Sequence, residues 1–428
     1  MIHWHYLAWG AAAACFLFAP AACTPAAAQD TAAAYPAVKD AENAADRAEY
    51  HCKRKQADKC VAEARVTVDL MEQAIAILDP APPTDPDHDE HPIPEFTPLT
   101  VDDIVPIVST FDLASYVRQV PVPGSAAPDV VGAFRFICNV SHLAYDDPIA
   151  YPEQPGKSHL HMFFGNTGTN AASDYASLRT AGGSTCQGDI LNRSAYWLPA
   201  LLSKPAGGQV VVPDYISNYY KRLPASDPEC TRAPHKGCVG IPVGLRAIFG
   251  TNYVQGHLQS PHVSFDCNAG FSDPTLAGVA ERCRATSHIY ARIEAPDCWN
   301  GRNLDSANHQ DHLAYMSRDA NSGRYHCPAS HPYLIPQLSL IFAYAILPGD
   351  TPGTWIFSSD AMAGKPAGST FHADYMEAWE PAIRDRWEGN CIDNLLNCSA
   401  ADFGDGTQGK PPAGFTFEQR PHLIPIPD

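Results

Sequence analysis

Two short histidine-rich stretches contain the residue types best suited to chemistry. The first runs from Ser158 to Asn166 and includes His159 and His161, and the second runs from Cys298 to His312. Both combine imidazoles, amides and aromatic rings beside glycine and asparagine. That mixture is typical of a polar site rather than of an apolar core.

The first stretch has the pattern of a strand with two histidines on one face. Side chains of a strand alternate between faces, so His159 and His161 would lie together while Leu160 and Met162 face the core. Two neighbouring imidazoles can hold a metal ion, a phosphate or a sugar hydroxyl. The alternative is that both are hydrogen-bonded structural residues, because a His-x-His pair alone has little specificity.

The second stretch is denser in polar groups and is flanked by Trp299 and Tyr315. An aromatic face beside Asn and Asp suits sugar recognition, because the ring covers C–H groups while the polar side chains take the hydroxyls. Asp305 with His309 and His312 could complete a metal site or form a His–Asp acid/base pair. The alternative is an asparagine-rich loop fixed by its own Asx turns.

Two further clusters supply carboxyl groups. Asp147 follows His142 closely, and paired carboxylates beside a histidine can serve as general base, metal ligand or hydroxyl acceptor. The alternative is a turn, because Asp before Pro is a common loop former. In the other cluster His372 and Asp374 would share a strand face, although Asp374 could instead cap a helix.

Composition limits the class of protein that carries these clusters. The chain has 428 residues with a formal net charge of −18, which argues against nucleic acid because a phosphate backbone attracts a basic surface. With 39 Pro and 29 Gly, much of the fold must be turns and loops. No Walker or GxSxG motif is present, which disfavours P-loop nucleotide enzymes and common serine hydrolases.

The N-terminus predicts export. Leu7 to Ala22 is an apolar run of the length of a signal-peptide core and is too short for a transmembrane helix, so residues 1–28 are interpreted as a signal peptide. Alternatively Cys23 is acylated as a lipid anchor. We therefore expect a secreted or periplasmic protein, or an outer-membrane lipoprotein, without a transmembrane span.

Cysteine parity agrees with export. Outside the signal region twelve cysteines remain, an even set that would pair as disulfides in an oxidising compartment. Sequence alone does not give their connectivity, and the easiest local closures are Cys230 with Cys238 and Cys391 with Cys398.

The periodicity of apolar residues predicts the organisation of the chain. Residues 38–79 have helical spacing, and residues 80–105 form a Pro/Asp-rich linker. Residues 106–405 are predicted to be mainly β, as a β-sandwich or jelly-roll-like domain with long disulfide-tied loops. Residues 406–428 are predicted to be an irregular tail.

The order of motifs from residue 130 to 400 resembles a secreted family defined only as a domain of unknown function, numbered nineteen ninety-six. The matching motifs include Ser158-His159-Leu160-His161, Cys298-Trp299-Asn300-Gly301 and His372-Ala373-Asp374. The resemblance implies polysaccharide or cell-wall substrates, because fungal members often adjoin WSC-type or other carbohydrate-binding modules. This chain has Asn300 and Asn308 where the family commonly has Asp, which puts a carboxylate role there in doubt.

These observations predict a secreted or periplasmic carbohydrate-active enzyme, a glycoside hydrolase or lyase that acts on a cell-wall or extracellular polysaccharide. The candidate catalytic residues are Asp147, His159, His161, Asp305, His309, His312 and Asp374. The candidate substrate-binding residues are His142, Asn166, Trp299, Asn303, Tyr315 and His372. No cofactor is required in this reading. The alternatives are a non-catalytic glycan-binding protein and a metal-dependent hydrolase whose divalent ion is held by His159, His161, Asp305 and His309.

Overall fold

Two antiparallel sheets packed face to face form the core of the domain. The computed structural model describes residues 97–427 except 252–259, 268–269, 284 and 320–321. The predicted signal peptide, helical segment and most of the linker lie outside the described residues, together with Cys52 and Cys60. The prediction of a mainly β sandwich is confirmed.

Twelve strands make up the two main sheets. In chain order they are β1 (Gly132–Cys138), β2 (Val140–Ala144), β3 (His161–Gly165), β4 (Ala195–Pro199), β5 (Tyr215–Arg222), β6 (Arg246–Gly250), β7 (Val263–Cys267), β8 (Phe271–Asp273), β9 (His288–Glu294), β10 (Gln337–Ala345), β11 (His372–Met376) and β12 (Asn397–Cys398). One sheet has five strands in the order β6-β11-β4-β3-β2, and the other has seven in the order β8-β7-β9-β10-β5-β1-β12. Neighbouring strands are antiparallel except β1 with β12.

The remaining elements are short. The α-helices are α1 (Tyr175–Thr180), α2 (Leu276–Ala280), α3 (Ser358–Ala363) and α4 (Pro381–Trp387), and a π-helical turn spans Glu388–Ile392. The 3-10 turns are Val101–Asp103, Leu113–Tyr116, Asp189–Leu191, Pro228–Thr231 and Pro352–Thr354. Short strands occur at Val117–Gln119, Leu201–Leu202, Val210–Val211, Gly237–Cys238, Cys298–Trp299, Leu313–Ala314, Ser317–Arg318, Tyr325–His326, Tyr333–Leu334, Ile356–Phe357, Thr407–Gly409 and Leu423–Ile424. The last two show that the tail expected to be irregular contributes strands.

Burial differs between the two sheets. Strands β5 and β9 alternate buried and partly exposed residues, so one face of the seven-stranded sheet is open to water. Every residue of β3 and β4 is buried, so the five-stranded sheet is covered on both faces. Phe164 and Tyr196 pack on one face against the other sheet, while Phe163 belongs to a separate cluster on the opposite face.

The opposite face, which we call the outer face, is covered by loops. Residues that follow Cys298 lie along the edge strand β6, where the Arg246 amide donates to the Leu304 carbonyl at 3.0 Å. Leu304 in turn donates its amide to the Leu99 carbonyl at 2.7 Å, so the end of the predicted linker is anchored to this loop. The first contact satisfies a backbone amide that an open sheet edge would leave unpaired.

Disulfides fasten these loops. All ten cysteines of the described part are paired, as Cys138–Cys186, Cys230–Cys238, Cys267–Cys283, Cys298–Cys327 and Cys391–Cys398. The two predicted local closures are confirmed. Five disulfides are typical of a protein that matures in an oxidising compartment. Among the described residues, no helix has the length and apolar character needed to cross a bilayer.

Candidate functional site

Strand register brings three histidines together on the outer face of the five-stranded sheet. His161 on β3 is paired with Pro199 on β4. Asp374 on β11 is paired with Trp197 on β4. When this antiparallel register is continued by two residues, His372 lies opposite Pro199, so His161 and His372 flank Pro199 from the two neighbouring strands. His159 lies in a bend just before this strand, and its ring is next to that of His161. The proline at the centre has a small side chain, which leaves space for imidazoles to converge above it.

The three rings form one compact cluster. Ring centroids are separated by 4.1 Å between His159 and His161, 5.2 Å between His159 and His372, and 6.0 Å between His161 and His372. Each residue offers a ring nitrogen that lies within 4.8 Å of the other two. The His161 side chain is fully buried, and 12% of the His372 side chain is exposed. The cluster is therefore enclosed with a narrow opening to solvent.

Hydrogen bonds set all three imidazoles in the same tautomer. Nδ1 of His161 donates to the Asp146 carbonyl at 2.9 Å, and Nδ1 of His372 donates to the Thr370 carbonyl at 2.8 Å. Nδ1 of His159 lies 3.2 Å from Ser358 Oγ, which can accept because it donates its own proton to the Leu160 carbonyl. Each Nε2 thus keeps a lone pair that can bind a ligand. Metal-ligating histidines commonly show this arrangement, in which a carbonyl or hydroxyl fixes the ring from behind.

A buried carboxyl group adjoins the histidines. Asp374 is fully buried, and neither carboxyl oxygen has a hydrogen-bond partner among the described residues. One of these oxygens lies 3.9 Å from Nε2 of His372. Nε2 of His161 is also buried without a partner in the described structure. An isolated buried carboxylate is costly unless a cation or donors compensate it, so this carboxylate and these lone pairs together have the chemistry of a cation site.

Burial controls protonation throughout the cluster. Desolvation lowers the pKa of His161 to about 3, and it lowers the pKa of His159 and of His372 below the usual histidine value. Desolvation also raises the pKa of Asp374, and the nearby Asp147 raises it further. The imidazoles are therefore neutral near pH 7, which is the form that binds metals.

Asp147 connects this cluster with the second histidine-rich stretch. Its Oδ1 accepts the amides of Ile149 and Ala150 at 2.9 Å each, which fixes the carboxyl group in a turn. Desolvation raises its pKa, while these amides and the imidazoles of His372 and His309 lower it. Asp147 thus interacts electrostatically with His372 of the cluster and with His309 of the second stretch. We take the cluster and the second stretch as two sides of one candidate site.

On the second side, Asp305 and His309 form a hydrogen-bonded pair. Nδ1 of His309 lies 2.8 Å from Oδ1 of Asp305, and the other carboxylate oxygen lies 3.9 Å from the Arg246 guanidinium. His312 does not join this pair. Its two ring nitrogens contact Ser306 Oγ at 3.1 Å and the Arg246 carbonyl at 2.7 Å. The predicted combination of both histidines with Asp305 around one ion is therefore not the arrangement observed.

The remaining candidates for substrate contact form hydrogen bonds within the protein. The amide of Asn166 donates to two carbonyls of the α1 region. Trp299 donates its indole N–H to the Asn303 carbonyl, and the Tyr315 hydroxyl donates to the Glu294 carbonyl. His142 stacks on Phe163 with ring centroids 4.8 Å apart. These contacts hold the four side chains within the protein, and whether they contact a substrate stays a prediction.

Some site residues were not identified from the sequence. The sequence predicts His372 as a substrate contact on the same strand face as Asp374, and it does not predict that His372 joins His159 and His161. Ser358 and Pro199 were missed because their relevance depends on cross-strand register, which a single sequence does not show. Arg246 offered a weak signal, as a charged residue at the start of an apolar strand.

The donor set limits which ions fit. Three imidazole nitrogens with an adjacent carboxylate suit Zn²⁺ and the neighbouring first-row divalent ions, whereas Ca²⁺ and Mg²⁺ prefer oxygen ligands. Three protein nitrogens leave at least one coordination position for water or substrate, as in catalytic zinc sites. The residues present therefore fit a catalytic transition-metal centre better than a closed structural one.

Comparison with known proteins gives one match. A family model described as a domain of unknown function, DUF1996, matches residues 147–379, which is more than half of the chain and contains the three histidines and both Asp147 and Asp374. No curated protein and no solved structure matches the chain. The protein is therefore a member of the DUF1996 family.

Proposed function

We propose that the domain is a metal-dependent hydrolase. The observation that carries the proposal is the cluster of His159, His161 and His372, in which one ring nitrogen of each lies within 4.8 Å of the other two and each Nδ1 has an oxygen partner. Asp374 supplies negative charge at the same place. A bound divalent ion would lower the pKa of its water ligand and so provide a nucleophile near neutral pH.

Other parts of the protein would exclude water from the site and bind the substrate. The outer-face loops exclude bulk water, which strengthens electrostatic interactions in the site. Asp147, held by two backbone amides, can accept a hydrogen bond from a water or a substrate hydroxyl with its second oxygen. The substrate class that we propose is an extracellular or cell-wall polysaccharide, in line with the export signal and the family resemblance.

A second candidate is a metal-free glycoside hydrolase that uses two carboxyl groups. The observation in its favour is that Asp147 and Asp374 are both buried carboxyl groups, and that Asp147 raises the pKa of Asp374. Such enzymes place an acid and a base, or an acid and a nucleophile, on either side of the scissile bond. This candidate predicts turnover without any ion.

Turnover by the purified full-length protein separates the two candidates. Cell-wall polysaccharides and p-nitrophenyl esters are incubated with protein before and after treatment with a chelator, and products are analysed. We expect chelation to abolish product release, Zn²⁺ or Mn²⁺ to restore it, and His161→Ala to lose it. His326→Ala, at a partly exposed histidine of the Tyr325–His326 strand, is the matched control and should retain it.

Two outcomes would count against the metal-dependent hydrolase. Chelator-resistant sugar release that Asp147→Asn and Asp374→Asn abolish would favour the second candidate. Absence of product from every substrate, with metal bound, would favour a binding protein over an enzyme.

A further inference from the structure

The loop that covers the edge strand β6 brings His309 to the site. The amide of Ile248 on β6 donates to the His309 carbonyl at 3.3 Å, and Ile248 is paired in register with Asp374 on β11. The backbone of His309 is therefore two interstrand spacings, about 10 Å, from the backbone of Asp374. An imidazole side chain and one water molecule can span most of that distance.

The backbone of His309 is held in an uncommon conformation. Its φ is 59°, in the left-handed region that few residues other than glycine adopt. Such strain persists only when surrounding contacts impose it, and it is concentrated at functional sites. Here the carbonyl bond to Ile248 and the amide bond from His309 to the Ser306 carbonyl at 2.8 Å hold the turn.

Asp305 orients the imidazole. Its Oδ1 lies 2.8 Å from Nδ1 of His309 and also accepts the Ser306 amide at 2.8 Å, so the carboxylate is itself fixed. Asp305 is nearly completely buried, which makes its interaction with a protonated imidazole stronger than at the surface. A carboxylate placed behind a histidine in this way fixes its tautomer and stabilises the imidazolium ion.

Three further charged or titratable groups of the described residues lie near His309. Asp147 lies on the side of the metal cluster, and His312 interacts electrostatically with His309 from within the same loop. The Arg246 guanidinium lies beyond Asp305, 3.9 Å from its second oxygen. Ile248 binds the His309 carbonyl and is paired with Asp374, which adjoins His372, so the dyad lies near the metal cluster.

We infer that His309, oriented by Asp305, is the proton-transfer group for the water bound at the His159–His161–His372 centre. This inference rests on the proposed function. With an ion held by His159, His161 and His372, that ion would acidify a water ligand, and Nε2 of His309 would take the proton released when an O–H bond of this water breaks. The imidazolium then returns the proton to the leaving group of the hydrolysed bond, so that one water is consumed and His309 is regenerated.

The test uses Co²⁺-loaded full-length protein and needs no substrate. The visible spectrum of the bound cobalt changes when its water ligand loses a proton, so a pH titration gives the midpoint of that loss. A charge-assisted hydrogen bond to His309 stabilises the hydroxide form, so His309→Gln should raise the midpoint by about one pH unit. Asp305→Asn should also raise the midpoint, and His326→Gln should leave the midpoint unchanged.

The outcomes separate this inference from the proposed function. Equal midpoints in all four proteins, with one cobalt bound in each, would overturn the role of His309 and leave the metal centre intact. Loss of cobalt from His309→Gln would make His309 a ligand and would also overturn the inference. Absence of cobalt from the wild-type protein would contradict both.

Discussion

At the scale of single residues, the contrast between two buried aspartates explains the assignment of the site. Asp360 is fully buried, and it accepts hydrogen bonds from three backbone amides and the Thr370 hydroxyl. Asp374 is equally buried and accepts none among the described residues. A carboxyl group of the first kind stabilises a fold, whereas one of the second kind needs a cation that the surrounding lone pairs are suited to share.

Substitution of each aspartate by asparagine should therefore give opposite results in metal-free protein. Asp360→Asn loses an acceptor from a satisfied network, and we expect it to lower the free energy of unfolding by about 1–3 kcal/mol. Asp374→Asn removes an uncompensated buried carboxyl group, and its amide can donate to Nε2 of His161 or His372. We expect metal-free Asp374→Asn to be at least as stable as wild type, yet to bind Zn²⁺ at least tenfold more weakly.

Chemical denaturation in the presence of a chelator and equilibrium dialysis with Zn²⁺ measure the two quantities. A large loss of stability in metal-free Asp374→Asn, with zinc affinity unchanged, would show that Asp374 is a structural residue.

At the scale of elements, strand periodicity accounts for what the sequence predicts well. Alternation places His372 with Asp374 on one face of β11. His159 and His161 also lie together and Leu160 is buried, although the strand predicted from Ser158 begins only at His161. The meeting of the two pairs was not predictable, because it depends on β4 lying between β3 and β11 and on a proline at the shared register position. The second stretch was predicted as polar, but loops lack periodicity, so the burial of His312 could not be inferred.

The loop that carries His309 is closed by a disulfide. Cys298 and Cys327 enclose it with a sequence separation of 29, and in the chain-entropy treatment a loop of this length contributes about 3–4 kcal/mol to stability. We expect Cys298→Ala with Cys327→Ala to lower the free energy of unfolding by that order. The double variant should still bind one metal ion, because His161 and His372 lie on strands outside the loop.

Thermal unfolding and metal analysis of the double variant check this prediction. Loss of metal binding at a temperature where the protein remains folded would mean that the loop contributes ligands. The matched control is Cys230→Ala with Cys238→Ala, which opens a loop with a sequence separation of 8 and should cost less stability.

At the scale of the whole molecule, the fold places a polar cluster in the region of the sheet that is best protected from water. The seven-stranded sheet covers one face of the five-stranded sheet, and disulfide-tied loops cover the other. The class of this architecture could be predicted from strand-like runs, turn signals and cysteine parity. The outer-face loops are what give the site its low dielectric surroundings, and their course is determined by long-range contacts such as Leu304 with Leu99.

The central claim is that the three histidines hold one transition-metal ion, and zinc binding to the full-length protein tests it most directly. Protein stripped with a chelator is dialysed to equilibrium against Zn²⁺, and the bound metal is measured by elemental analysis. The account predicts one zinc per chain in the wild type and in His326→Ala, and none retained at this site in His161→Ala or His372→Ala. Wild-type protein that binds no zinc, manganese, cobalt, iron or copper, or a His161→Ala variant that binds as much as wild type, would contradict it.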